Sequence, residues 1–238
     1  MPVFPPLVAL VASIAGYQIP VVCQPLTPGT STMATIAVST AGSEPSTTQG
    51  TWPNTTVEGG LTAFWRYVPP GSVVTVTVAG QTVTLPNTPS DTPYTDENPP
   101  PAGLKGEVAV PVFVAIDQAD CDKYTSTSAA FRGRALIVAV HEAMHVRYAD
   151  GNEALTECRA MKTFPYLLTS LFPSIADPGP SPKKPRDHKA LTRWKRAYAA
   201  WLVRARPWKA QQALEAAMTK AAQAYDASLP KQYHGRSC

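Results

Sequence analysis

No lysine or arginine occurs before Arg66, no two cysteines stand close enough to form a CxxC pair, and the 238 residues include only four histidines. Each shortage excludes something. Without paired cysteines there is no zinc ribbon and no dithiol redox motif. The apolar stretch Phe4–Gly16 has no basic residue ahead of it, as a signal peptide would require, and it is too short to cross a bilayer. It is expected to be a buried first strand or helix, or the remnant of an export signal that starts further upstream. No internal repeat is found.

What is present allows one large domain. The 44% apolar content supplies a sizeable core, and the 25 prolines crowd into loops such as Asn98–Pro101 and Asp177–Pro182, predicting long, stiff surface connections. Cys23, Cys121, Cys158 and Cys238 form an even set spread over the chain. Of three possible connectivities, Cys23 to Cys121 and Cys158 to Cys238 is favoured, because each pair ties a terminal segment to the central region. Two disulfides imply an oxidising compartment and therefore an extracytoplasmic or secreted protein, although the chain shows no clear signal peptide.

Charge is unevenly divided. Residues 1–140 carry 5 basic and 9 acidic side chains, whereas 141–238 carry 16 and 8. The segment 183–209 holds ten basic residues and a single acid, Asp187. Its apolar residues keep helical spacing, so it reads first as a solvated helix face. A nucleic-acid partner is not expected, and contact with an anionic membrane surface is the other use for such a run.

Between residues 30 and 115 the pattern alternates and is rich in Thr and Val. Residues 72–79 and 81–85 predict a β-hairpin around Ala79-Gly80, and 34–39, 63–68 and 107–116 are further strands of an antiparallel sheet. Residues 86–103 predict a surface loop. After Cys121 the period changes to helical. Thr125–Ser128 offers N-caps for a helix over about 128–149 whose middle, Ala135–Val140, is apolar on every face and therefore buried. A turn at Asp150-Gly151 leads to a helix over about 152–163 that Pro165 ends or kinks, and Pro207 separates helices at about 188–206 and 208–228. The first of these should bury Leu191, Trp194, Tyr198 and Trp201, the second Leu214, Met218, Ala221 and Tyr225.

The chemistry lies in His141-Glu142-Ala143-Met144-His145. Two histidines four apart on a helix share one face, so their imidazoles can converge on a single ion, and Glu142 neighbours that ion without having to ligate it. This is the HExxH arrangement of zinc peptidases, in which a glutamate takes a proton from zinc-bound water and the metal polarises the scissile carbonyl. Such a string arises by chance in about one chain in a hundred of this length. Its place at the end of an all-apolar helix, directly before a carboxylate-bearing one, sharpens the signal.

A third ligand is needed, and the next helix offers Glu153 and Glu157. If the turn centres on residue 150, the midpoint of the two histidines lies opposite residue 157. That count favours Glu157 as the ligand and leaves Glu153 nearer the turn, where Asp150–Glu153 reads as a capping box. A developing oxyanion would need a donor from among Tyr148, Tyr225, Tyr233, His188 and His234.

Two resemblances bear on these residues. The string Asn152-Glu153-Ala154-Leu155-Thr156-Glu157 is similar to the Asn-Glu-x-x-Ser-Asp motif of the thermolysin-like gluzincins. That likeness implies Glu153 as ligand and Glu157 as the group that orients a ligand histidine, although far fewer residues here separate the HExxH from the glutamate helix. The combination of Val21-Val22-Cys23, a strand before Cys121, the HExxH helix, the segment Asn152–Cys158 and the ending Leu229–Tyr233 to Cys238 resembles a group of actinobacterial HExxH proteins without an assigned reaction. It implies that cysteines, glutamate helix and metal form one unit, and leaves residues about 30–105 as an insertion.

The expectation is an α+β zincin: a β-rich antiparallel part over 1–124, with the inserted segment, packed on a helical metal-binding half over 125–238 with a central HExxH helix. Zn2+ would sit on His141, His145 and Glu157 or Glu153, with Glu142 as general base for hydrolysis of a peptide or protein substrate. Substrate would bind between sheet and helices, with the Pro-rich loops as lids. The competing reading is a non-catalytic binding protein with a structural or vestigial metal site, acting through the β-rich insertion or the basic 183–209 helix.

Overall fold

The computed structural model describes residues 5–27, 29–53, 61–85, 108–148, 152–172, 175–234 and 238. The expected loop at 86–103 and the turn at 150–151 lie outside these residues. The chain begins with helix α1 (Leu7–Ala15), followed by strands β1 (Val21–Gln24), β2 (Ser31–Ser39), β3 (Ser46–Pro53), β4 (Leu61–Val68), β5 (Val73–Val78), β6 (Gln81–Thr84) and β7 (Val108–Asp117). Helices α2 (Gln118–Thr125), α3 (Ala129–Tyr148), α4 (Glu153–Leu171) and α5 (Leu191–Ser228) complete it. The fold is α+β, with the sheets in the N-terminal part behind α1 and a helical C-terminal half.

Among the described residues the strands form two sheets rather than one, ordered β1-β7-β4 and β3-β2-β5-β6. All pairings are antiparallel except that of β1 with β7, which is parallel. The predicted hairpin is present as β5 and β6, closed by Ala79 and Gly80 at φ 48° and 77°. Two consecutive positive φ values give a type I′ turn, whose twist matches that of the flanking strands. Both Cβ-free freedom at Gly80 and tolerance of strain at Ala79 are needed there. The segment expected to be an insertion supplies the whole second sheet and also β4, which pairs with β7 in the first. It is therefore woven into the fold.

β7 lies between the two cores. Val114 and Ile116 face the helices, whereas Phe113 and Ala115 face the second sheet together with Val110 and Val112. Strict alternation would not put Val112 beside Phe113. A register shift opposite Phe64 and Trp65 inserts one residue into the ladder and reverses the parity. A strand covered on both faces must be apolar throughout, which explains the continuous run Val112–Ile116. The exposed edge of β1 is blocked by Gln81, whose side-chain amide accepts from Val21 N–H at 3.3 Å and donates to Val21 C=O at 2.8 Å.

α3 is the central helix, and every residue from Ala135 to Val146 is buried. Ser128 caps it, its hydroxyl 3.4 Å from Phe131 N–H. α5 crosses it so closely at Gly133 that a Cβ there would lie 2.6 Å from the Met218 carbonyl oxygen. Neither proline breaks its helix. Pro165 lies inside α4 and Pro207 inside α5, so the two expected C-terminal helices are one. Both prolines are exposed, and there the carbonyl that loses its helical donor can be hydrated. Before Pro207, α5 buries Trp201 and Ala205, while Leu191, Trp194 and Tyr198 are only half-buried; after it, Met218, Ala222 and Tyr225 are buried and Ala221 half-buried.

The Pro-rich segment before α5 is fastened to it. Trp194 Nε1 donates to Pro182 C=O at 3.0 Å and Trp201 Nε1 to Gly179 C=O at 2.9 Å, with Tyr198 stacked between the two indoles. Disulfides join Cys23 to Cys121 and Cys158 to Cys238, the favoured pairing. Among the described residues, no helix is long and apolar enough to cross a membrane.

Candidate metal centre

Side chains from α3 and α4 build the centre. His141 and His145 stand one turn apart on α3, both 5% exposed, and their Nε2 atoms approach to 3.0 Å. Asn152 caps α4, its side chain accepting from Leu155 N–H at 3.0 Å. Glu153 is consequently the first residue of α4 rather than the closing glutamate of a capping box. From there its Oε2 reaches 3.0 Å from His141 Nε2 and 3.2 Å from His145 Nε2. Three donor atoms, two imidazole nitrogens and one carboxylate oxygen, thus converge on one point and could hold a metal ion. Ligand atoms at about 2.0–2.1 Å from a tetrahedral ion stand about 3.3 Å apart, close to the separations found.

Glu157 does not join that group. It lies one turn further along α4, nearly fully buried, and its Oε2 is 2.6 Å from His141 Nδ1. The hairpin count placed residue 157 level with the histidines, and it is, but level with the far edge of the imidazole. A ring presents its two nitrogens on different edges, so the carboxylate that meets Nδ1 lies apart from the donors gathered at Nε2. Glu153, whose side chain is 37% exposed, approaches from the open side.

Thr156 was not anticipated from sequence. Its hydroxyl, fully buried, is 3.2 Å from His145 Nδ1, so each histidine is held at Nδ1 by a residue of α4 and turns Nε2 inward. Its position beside Glu157 and three residues past Glu153 puts it on the same helix face, which is the one signal available.

The electrostatics follow from burial against hydrogen bonding. Burial pushes the His141 pKa down, but hydrogen bonds to Glu153 and Glu157 and the charge of Glu142 outweigh it and raise it to about 10. His145 moves up on the same balance, with Glu153 and Glu142 overcoming burial. Burial pushes Glu153 up, but its bonds to both histidines lower it to about 2. The group therefore holds cationic charge tightly between carboxylates. Glu142 is buried on α3, and its charge is felt by both histidines and by Tyr225. Behind Glu157, Asp226 of α5 is raised by burial and by the Glu157 charge.

Two of the five candidate oxyanion donors come near. The ring of Tyr233 is centred 6.3 Å from that of His141. Tyr225 is buried under the Arg134 guanidinium, and burial with the charges of Glu157 and Glu142 keeps its phenol protonated. The others are engaged elsewhere. Tyr148 is exposed beneath the guanidiniums of Arg147 and Arg159, His188 is in the exposed turn before α5, and His234 contacts Leu229 C=O and Asp226.

No protein-family model matches the chain, and comparison with curated proteins and with solved structures found no match.

Proposed function

We propose that the chain is a zinc-dependent metallopeptidase that hydrolyses peptide bonds, with His141, His145 and Glu153 as ligands and Glu142 as general base. The observation that supports it is the convergence of the two Nε2 atoms and Glu153 Oε2 on the helix pair that carries the HExxH string. The donor set suits zinc: imidazole nitrogen and carboxylate oxygen, three protein ligands, and thus one position left for chemistry. A bound zinc would supply Lewis acidity for the carbonyl and for the attacking water.

The chain's own groups do the rest. With Nε2 committed to a metal, His141 Nδ1–H would donate to Glu157 and His145 Nδ1–H to the Thr156 oxygen, which would fix both tautomers and ring orientations. Glu142, buried beside the ligands, takes a proton from water and passes it to the leaving amine. Tyr225, kept protonated, and Tyr233, whose ring lies by His141, are the candidates for stabilising the developing oxyanion. The two disulfides fit an extracytoplasmic setting.

The test measures metal content of the purified protein beside Glu142→Gln and His145→Ala, with cleavage of an unstructured protein followed in parallel. About one zinc per chain is expected, lost in His145→Ala and kept in Glu142→Gln, whose activity falls by about 10²- to 10⁴-fold. Zinc without Glu142-dependent cleavage would make this a non-catalytic metal site. No zinc in any variant would overturn the metal reading altogether.

A further inference from the structure

We propose that the first half of α5, with the segment fastened to it, is a docking surface for anionic lipid headgroups, used by the protein to lie against a membrane. All ten basic residues from Lys183 to Lys209 are exposed, and among the described residues none stands in an ion pair with an acid. From His188 to Leu214 no acidic residue occurs. That is a different situation from an ordinary solvated helix, where opposite charges one turn apart usually partner each other.

The placement of the charges is ordered. Thr192, Ala199, Val203 and Ala210 follow one another at seven, four and seven residues, so they form a single strip along the helix. It faces away from Trp201 and Ala205, which are buried, and Val203 on it is 74% exposed. Arg193, Arg196 and Arg204 flank the strip on one side, and Lys195, Arg206 and Lys209 on the other. Cations on long apolar stems beside a small-residue strip can extend sideways into headgroups while the strip rests on the surface.

Apart from Val203 the strip consists of Thr192, Ala199 and Ala210, so the attraction is chiefly electrostatic. The indole bonds from Trp194 and Trp201 hold the segment carrying Lys183, Lys184 and Arg186 at the same end of the helix. Those cations are thereby arranged before binding rather than ordered by it. Two disulfides argue for a compartment with lipid but without nucleic acid, which decides between two polyanions of similar charge.

The experiment is cosedimentation of the full chain with vesicles of phosphatidylglycerol and phosphatidylcholine, against phosphatidylcholine alone, at low and high salt. The variant is Arg193→Glu with Arg196→Glu and Arg204→Glu, all exposed, so circular dichroism should be unchanged. Binding to the anionic vesicles alone is expected, falling at least about 100-fold in the triple variant and steeply with salt. Absence of binding by the native chain, or binding that the triple variant retains, overturns the proposal. So does tighter binding to a DNA or RNA duplex than to the anionic vesicles, or concentration-dependent dimerisation through this face that displaces them. Zinc content and peptidase activity are not read by this assay, so its failure leaves the metal site untouched.

Discussion

The second sheet and the α3–α4 pair fill their interiors by opposite means. In the sheet, Ala34, Ile36, Val74, Val76 and Val78 turn inward, while Thr75 and Thr77 lie outward and meet Thr84 and Thr82 at 3.0 Å. The strands of that sheet carry no charged side chain, and these threonines partner each other across β5 and β6. In the helix pair, His141, Glu142, His145, Thr156 and Glu157 are all buried, in the middle of a core that could have been aliphatic. Ionisable groups inside a protein cost free energy that mutual pairing recovers only in part. One region follows the demands of folding, and the other departs from them at a single cluster, which is where function is expected.

The sharpest way to break that contrast is to make the cluster obey the sheet's rule. His141→Leu with Glu157→Met should abolish metal uptake and activity, while the thermal stability of the metal-free protein stays level or rises by about 1–4 kcal/mol, as when buried ion pairs elsewhere are replaced. A large loss of stability by calorimetry would show that the cluster holds the fold together. Next in size is Gly133→Ala. The added methyl meets Met218 backbone rather than a movable side chain, so a loss of about 2–3 kcal/mol is expected in denaturant unfolding.

Smaller effects come from pH. Protons and metal compete for the same nitrogens, and His141 is raised from 6.5 to about 10. Its proton therefore stabilises the metal-free fold fully below about pH 6.5, and that contribution is lost as pH rises toward 10. Across the same window metal affinity should climb, by up to about tenfold per unit for each proton displaced. Chelator competition at pH 6, 7 and 8 checks this, and an affinity that levels off above pH 7 would contradict it. The least effect is expected at the sheet surface, where Thr77→Val should change stability by no more than about 0.5 kcal/mol.

Much of this could be read from the chain. Alternation located β2, β4, β5, β6 and β7, the all-apolar run located α3, and cysteine placement gave the disulfide pairing. β3 escaped because Ser46–Pro53 has almost no apolar residue to alternate. The two prolines suggested helix ends, but exposure let both helices run through them, a tertiary circumstance that local rules omit. Which imidazole nitrogen each carboxylate meets, Nε2 for Glu153 and Nδ1 for Glu157, was not legible. Residue counting along a hairpin resolves a helical turn, not the two edges of a ring.

The distances along the chain carry a further consequence, for the order of assembly. Every group of the cluster falls within the residues from His141 to Glu157, whereas the disulfides span separations of 98 and 80 residues. Closing a loop of 16 residues rather than 98 is cheaper by about 1.6 kcal/mol of chain entropy, and it is faster. The histidine and carboxylate cluster can thus close while Cys238 is still to be synthesised, so the Cys158–Cys238 bond is made onto a helix pair whose side chains are already together.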